Sequence, residues 1–374
     1  MFADTYKKDG VVLVDAFGTH YPESFTDPLR EYESLVERVA LVDLTHWGAL
    51  RLTGGDRVTF LNNMVTNDVA KLGAGEGTHA ALATTKGKLV AELFVLVRES
   101  ELFVLVPQGS TQDVFTILTK HIIADDVTLE DVSNEFGVLA VEGPRARDMA
   151  WRLFPDGPLP MESLAFGDTD YQGMPVVVLR NSVTGEKGFQ FVIGASHIER
   201  IRNYLVQAGR GMDMELLGRA AWNMRRVENG LPWWGPDITD NFPKECRLDD
   251  VVSYDKGCYL GQETIARMHH RGHPNWLLVG LASADTVDAP AEPASSAGPA
   301  TLAGIELFAP GESAAGGKPA GRLTSPIHSP MRDGFLSLGY VRHEMAEPGT
   351  RFEFSLDGKT VELQIITLPI DPKE

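Results

Sequence analysis

An α+β fold ending in a small β-barrel is what this sequence predicts, and three observations predict it. Amphipathic stretches of helical period are interspersed with short alternating or wholly apolar runs, without the regular alternation that builds a doubly wound sheet. Six short β segments crowd into roughly the last hundred residues, the density of a small barrel. At 374 residues and 43% hydrophobic content the chain is long enough for two or three domains, since single cores rarely grow past roughly 250 to 300 residues.

From the N-terminal end, TDPLREYESLVER spaces its apolar residues by three and four and predicts a helix over Thr26 to Arg38. Alternation then predicts a strand over Gly48 to Leu52. A second helix is expected at RVTFLNNMV, with Asp56 as its N-cap, because a carboxylate there accepts the free amide protons of the first turn. AELFVLV, the turn RESE and LFVLVP read as a hairpin, and TQDVFTILTKHI as a helix with Val114, Leu118 and Ile122 on one face. FGVLAVEG and MPVVVLRN return to strand, ASHIERIRNYLVQAG and MELLGRAAWNMRRVEN to helix. Composition then shifts to Ala, Pro, Ser, Gly and acids, which bury too little surface to order themselves, so a flexible insertion is expected at 283–303. LLVGLAS precedes it; IELFAPG, AGRLTS, FLSLGYVR, RFEFSL and VELQIITL follow. The expected division is 1–275 for two interleaved α+β subdomains and 276–370 for the six-stranded barrel.

Charge narrows the function classes. A net charge of -18 repels polyanions, so no direct nucleic-acid partner is expected, and any anionic ligand must meet a local positive patch. The longest apolar run, Leu89 to Val97, falls well short of the roughly 20 residues that span a bilayer. No secretory pattern opens the chain, and Cys246 and Cys258 are too few for a disulfide framework. A cytoplasmic protein without membrane partners is the expectation.

The most distinctive run is YDKGCYLGQETIARMHHRGHP, Tyr254 to Pro274. Gly257 and Gly261 flank Cys258 and Tyr259, which predicts a tight turn opening a helix at Gln262. A thiol ahead of a helix N-terminus, with Lys256 two residues back, sits where free amides and a cation both favour the thiolate. Cys258 is therefore the candidate reactive sulfur and Lys256 its candidate activator; a buried small hydrophobe is the competing reading. His269, His270 and His273 lack the spacing of a zinc site with Cys258, and no metal centre is expected.

The run K-G-C-Y-x-G-Q-E-x-x-x-R, present as Lys256 to Arg267, resembles the signature of the YgfZ family of folate-binding proteins linked to iron-sulfur cluster assembly and repair. The wider chain resembles the GcvT group, which includes the aminomethyltransferase of glycine cleavage. That resemblance runs from VDLTHWGALRLTGGDRVTFLNNMVTNDVAKL at Val42 through VEGPRA at Val141 to GRLTSPIHSP at Gly321. It implies three subdomains in a ring around a central folate cavity, the last a small β-barrel, and tetrahydrofolate or a one-carbon derivative as cofactor. It also implies site residues. VTGEKGF brings Glu186, with Val183 where relatives carry Tyr, and RRVENG brings Arg225 and Glu228. A carboxylate such as Glu228 can accept two parallel hydrogen bonds from a pterin's N3–H and exocyclic amine. The signature adds Tyr259 and Arg267, whose guanidinium suits the anionic glutamate tail of folate.

One departure bears on the reaction. In aminomethyltransferases the strand after TNDV reads GGxxDD; here it reads GKLVAEL, with Ala91 at the first acid and Glu92 on the opposite face. An alanine moves no proton, which disfavours glycine-cleavage chemistry. The leading expectation is accordingly a folate-binding accessory protein with an activated cysteine, working with iron-sulfur assembly or client proteins and affecting tRNA modification only indirectly. The alternative is a folate-dependent aminomethyl- or methyltransferase acting on a small amine or sulfonium. Asp68, in the TNDV turn, is expected to brace that turn.

Overall fold

A computed structural model describes the protein apart from residues 1, 17–18, 108, 155–158, 284–301, 313–316, 357 and 371–374. Nearly all of the insertion expected at 283–303 lies outside the described residues. The chain forms two compact units, one of Met1–Ala221 with Asp249–Ala266, the other of Trp222–Leu248 with Arg267–Glu374. In this division residues 222–248 group with the barrel.

The first unit holds a two-stranded sheet, Leu13–Ala16 with Thr19–Pro22, and two large ones. One is antiparallel and five-stranded, in the order Gly77–Ala83, Leu89–Val97, Leu102–Val106, Gly48–Thr53, Thr128–Asp131. The other has six strands, Phe166–Tyr171, Met174–Leu179, Gly188–Gly194, Phe136–Glu142, Ala40–Asp43 and Glu215–Leu216, of which the last pair is parallel. Each large sheet presents alternate side chains to a core roofed by helices. Leu50, Leu82, Leu93 and Val104 pack with Phe60 and Leu61 of helix Arg57–Met64 and with Val114 and Leu118 of helix Thr111–His121. Leu139, Val176, Phe189 and Phe191 pack with Met149 of helix Ala146–Leu153 and with Ile201 and Leu205 of helix Ile198–Gly209. At two positions per turn of strand, these contacts supply the apolar burial that orders both sheets.

The helix predicted from Thr26 spans Pro28–Glu37, and Asp27 caps it by accepting from the Leu29 and Arg30 amides. Asp56 does not cap its helix as expected. Its carboxylate accepts from the Asp126 amide at 2.8 Å, while the Asp126 carboxylate accepts from Gly55 N–H at 2.8 Å. A reciprocal clasp between two loops satisfies the side chain that local reasoning assigned to a first turn. MELLG likewise opens as the short strand Glu215–Leu216 before helix Arg219–Glu228 begins.

The second unit is a closed barrel. Its strands run Glu306–Leu307, Gly321–Ser329, Gly334–Arg342, Trp276–Ser283, Lys359–Ile366, Arg351–Leu356, and a bridge between Phe308 and Glu353 joins first to last. The end of helix Arg219–Glu228 is bound to it by a buried cation. Arg226 donates to Asp237 at 2.7 Å, to Ser325 Oγ at 2.7 Å, to Asn223 Oδ1 at 2.9 Å and to the Leu231 carbonyl at 2.9 Å. Trp222 and Trp233 wall its guanidinium, centroids 5.7 and 5.5 Å away. Removing one partner of such a pair strands the other charge in low dielectric, so Arg226→Met should destabilise the protein by about 3–5 kcal/mol. Urea denaturation checks this; a loss below about 1 kcal/mol would show the network to be dispensable.

Candidate active site

The TND turn receives a second stretch of chain within the first unit. Helix Arg57–Met64 ends at Val65, leaving carbonyls without intrahelical partners. Lys256 fills that place: its ammonium donates to the carbonyls of Asn62 at 2.5 Å, Val65 at 2.9 Å and Asn67 at 2.7 Å. Thr66 Oγ1 donates to the Val251 carbonyl at 2.6 Å, Ser253 N–H to the Thr66 carbonyl at 3.0 Å, and Leu260 N–H to the Asn63 carbonyl at 3.0 Å. Asp68 braces the turn as expected, paired with Lys71 at 2.9 Å; that hydrogen bond holds its carboxyl below the usual range. Gly261, at φ 81°, packs so closely that a Cβ there would lie 2.3 Å from the Thr84 carbonyl.

Lys256 is thus a clamp on backbone, its ammonium donating to three carbonyls. Burial pushes its pKa down to about 8 against the pull of Asp68. Cys258 itself is exposed and lies four residues ahead of helix Gln262–His270. Tyr259 is buried beneath the Lys256 ammonium, 5.3 Å from ring centroid to nitrogen, with its hydroxyl unpartnered and burial raising its pKa. Arg267 is exposed on that helix.

On the five-stranded sheet, alternation assigns Ala91 to the core and Glu92 to the other face. There Glu92 Oε1 lies 3.0 Å from His79 Nε2, a close approach without the alignment of a hydrogen bond. The His79 ring stacks on Phe94 at 4.6 Å and 15°, and Phe94 on Trp47 at 5.5 Å and 3°. Position 91 faces packed side chains, so an acid there would serve no open site. The carboxylate that the strand offers to a partly exposed face is Glu92, and the inference drawn from Ala91 does not hold.

On the six-stranded sheet, Glu142 organises the VTGEKGF loop. Its buried carboxylate accepts from Ser182 Oγ at 2.9 Å, Val183 N–H at 2.7 Å, Thr184 N–H at 3.1 Å and Thr184 Oγ1. Desolvation raises its pKa, opposed by those donors. Glu186, half-buried, follows in this loop, its amide donating to Thr184 Oγ1 at 3.3 Å. Beyond the loop, Phe189 and Phe191 enter the core while Gln190 faces the other way, as Glu142 and Ala140 do across the register. Gln190 is fully buried, and neither its amide oxygen nor its nitrogen has a partner. Buried amides are almost always bonded, and this one, fully enclosed by the fold, is an exception. Sequence reading missed both residues. The signal was present in GFQFVIG, where one amide interrupts an apolar strand.

Glu228, by contrast, is committed within the barrel unit. It accepts from Ser329 Oγ at 2.6 Å, Met331 N–H at 3.1 Å and Arg225 Nη1 at 3.1 Å. Through these bonds Arg225 and Glu228 tie the helix end to the barrel strand that carries Ser329.

The fold places the chain among T-protein-like folds. Over 98% of its length and 96% of the other chain it superposes, at a TM-score of 0.84 and 22% identity, on the crystal structure of glycine cleavage system aminomethyltransferase T from Bartonella henselae. Residues 2–256 match the GCVT N-terminal domain and residues 301–371 the glycine cleavage T-protein C-terminal barrel domain. The chain belongs to the GcvT family. It is 27% identical to an aminomethyltransferase of Geobacillus kaustophilus, covering 97% of this chain and 96% of that one, and 26% identical to one of Bacillus subtilis, covering 98% and 97%. These relatives overturn two expectations, the iron-sulfur accessory role and the disfavouring of aminomethyltransferase chemistry. Among the described residues no helix is long and apolar enough to cross a membrane.

The folded pKa of Lys256 lies below the ~10.4 of an unfolded lysine. Between those values the unfolded chain binds more protons, so stability rises with pH across that window. Urea denaturation from about pH 7 to about pH 10 should show the wild type gaining on Lys256→Met above pH 8. A difference that stays flat contradicts the clamp's burial.

Proposed function

We propose that this chain is a folate-dependent one-carbon transferase of the aminomethyltransferase type, acting on a small amine. The observation that carries the reading is the match of residues 2–256 and 301–371 to the two glycine cleavage T-protein domains, together with similarity over nearly the whole chain to aminomethyltransferases. A primary amide presents one acceptor and one donor side by side, which matches the N3–H and C4 carbonyl of a pterin lactam in a two-bond pair. Tetrahydrofolate, when bound, supplies the nitrogen that accepts the one-carbon unit. Gln190 orients that ring, Glu142 fixes the adjoining loop, and Glu92 is the carboxylate positioned to handle a proton. Within the family, the run KGCYLGQE is the feature on which we place the chain in a YgfZ-like branch, a statement of descent without an iron-sulfur role.

Fluorescence titration with tetrahydrofolate tests the reading. The wild type should bind, and Gln190→Leu should weaken binding at least about tenfold, about 1.4 kcal/mol. The same substitution removes an unsatisfied buried amide, so thermal stability should hold or rise. Unchanged affinity in the variant, or a wild type that ignores tetrahydrofolate, rejects the proposal.

One-carbon transfer from an aminomethyl donor to tetrahydrofolate should also survive Cys258→Ala and fall at least about a hundredfold in Glu92→Gln, the range expected for a general acid or base. Loss in the cysteine variant alone, with Glu92→Gln active, would reverse the assignment.

A further inference from the structure

We infer that His79 is the proton-relay partner of Glu92, held in place by the ring stack of Phe94 and Trp47. The inference rests on the transferase reading for the reaction it serves, and on an independent observation for the pair itself. His79 and Phe94 stand directly opposite each other in the register of strands Gly77–Ala83 and Leu89–Val97, and Glu92 lies two residues along on the same face. The imidazole is therefore confined from two sides. Phe94 fixes the plane of the ring, and Glu92 sits 3.0 Å from one nitrogen. Trp47, nearly parallel behind Phe94, keeps the phenyl ring from swinging away.

The arrangement differs from a structural ion pair in two respects. His79 Nε2 is buried without an aligned hydrogen bond, so the contact is poised rather than locked, as catalytic contacts often are before substrate tightens them. The side chains are 25% and 19% exposed, so the pair communicates with solvent or ligand. A histidine with one nitrogen against a carboxylate and part of its ring open can take a proton from the one and pass it outward.

Moving a one-carbon unit between an amine donor and folate needs such a path. The carbon forms a bond to the folate nitrogen and breaks its bond to the donor nitrogen. The folate nitrogen loses a proton and the departing amine gains one, so no oxidant, reductant or net proton is required. Glu92 takes the proton, and His79 holds it until the departing amine accepts it. In this relay His79 takes part in the proton transfer itself, between Glu92 and the departing amine.

Full-length protein labelled with [15N]histidine tests the pairing without turnover. The His79 resonances are assigned by their loss in His79→Gln, whose unfolding midpoint should match that of the wild type. In the absence of folate, Glu92→Gln should shift the His79 Nε2 resonance and leave those of the distant histidines in place. A His79 Nε2 signal indifferent to Glu92→Gln overturns the inference. Tetrahydrofolate should then move the same resonance in the wild type. If fluorescence shows that tetrahydrofolate binds while the His79 signal stays still, the relay is overturned and the folate reading stands. If His79 responds to Glu92→Gln but tetrahydrofolate does not bind, the pair is supported and the folate reading alone fails.

Discussion

A single ammonium group closes the first unit. Lys256, from a stretch of chain nearly two hundred residues beyond the TND turn, satisfies three carbonyls where helix Arg57–Met64 unwinds. Carbonyls at a helix end want a cation or donor, and the partial negative charge there makes an ammonium the fitting group. Once that contact is made, Thr66, Ser253 and Leu260 complete a ladder between turn and segment, and Gly261 can seat against Thr84. The segment KGCYLGQE is thereby fixed by its lysine and glycines, and its cysteine is left at the surface.

The groups able to do chemistry are distinguished by what the fold does not do for them. Most buried polar side chains here are fully engaged: Arg226 with Asp237, Glu142 with its loop, Glu228 with Ser329 and Met331. Gln190 and the Nε2 of His79 are not, nor are the Asn181 Nδ2 and the Tyr259 hydroxyl. An unsatisfied buried amide costs about 1–3 kcal/mol. Gln190 and His79 lie on sheet faces turned away from the main clusters of their sheets, so the cores can be complete while these faces stay polar.

Much of this was legible in the sequence. Periodicity located helices Pro28–Glu37, Arg57–Met64, Thr111–His121 and Ile198–Gly209 and the six strands of the barrel, because each buries one face, but it passed over strands Ala40–Asp43, Gly77–Ala83 and Gly188–Gly194 and helix Ala146–Leu153. What sequence reading lost were side chains whose partners lie far along the chain. Asp56 reads as a cap until Asp126 meets it, and Lys256 reads as a neighbour of Cys258 until the carbonyls of the TND turn claim it. Ser329 and Met331, from which Glu228 accepts, lie a hundred residues further on. Ala91 misled for a different reason. Strand alternation separated it from Glu92 correctly, but which of the two faces was packed is a tertiary fact.

The central claim is that the Lys256 ammonium holds segment 249–261 against the TND turn, and amide hydrogen exchange measures this directly. In Lys256→Met the Ser253 and Leu260 amides should lose protection, while strands Gly321–Ser329 and Gly334–Arg342 of the barrel keep theirs. Unaltered protection across 249–261 in that variant would contradict the account.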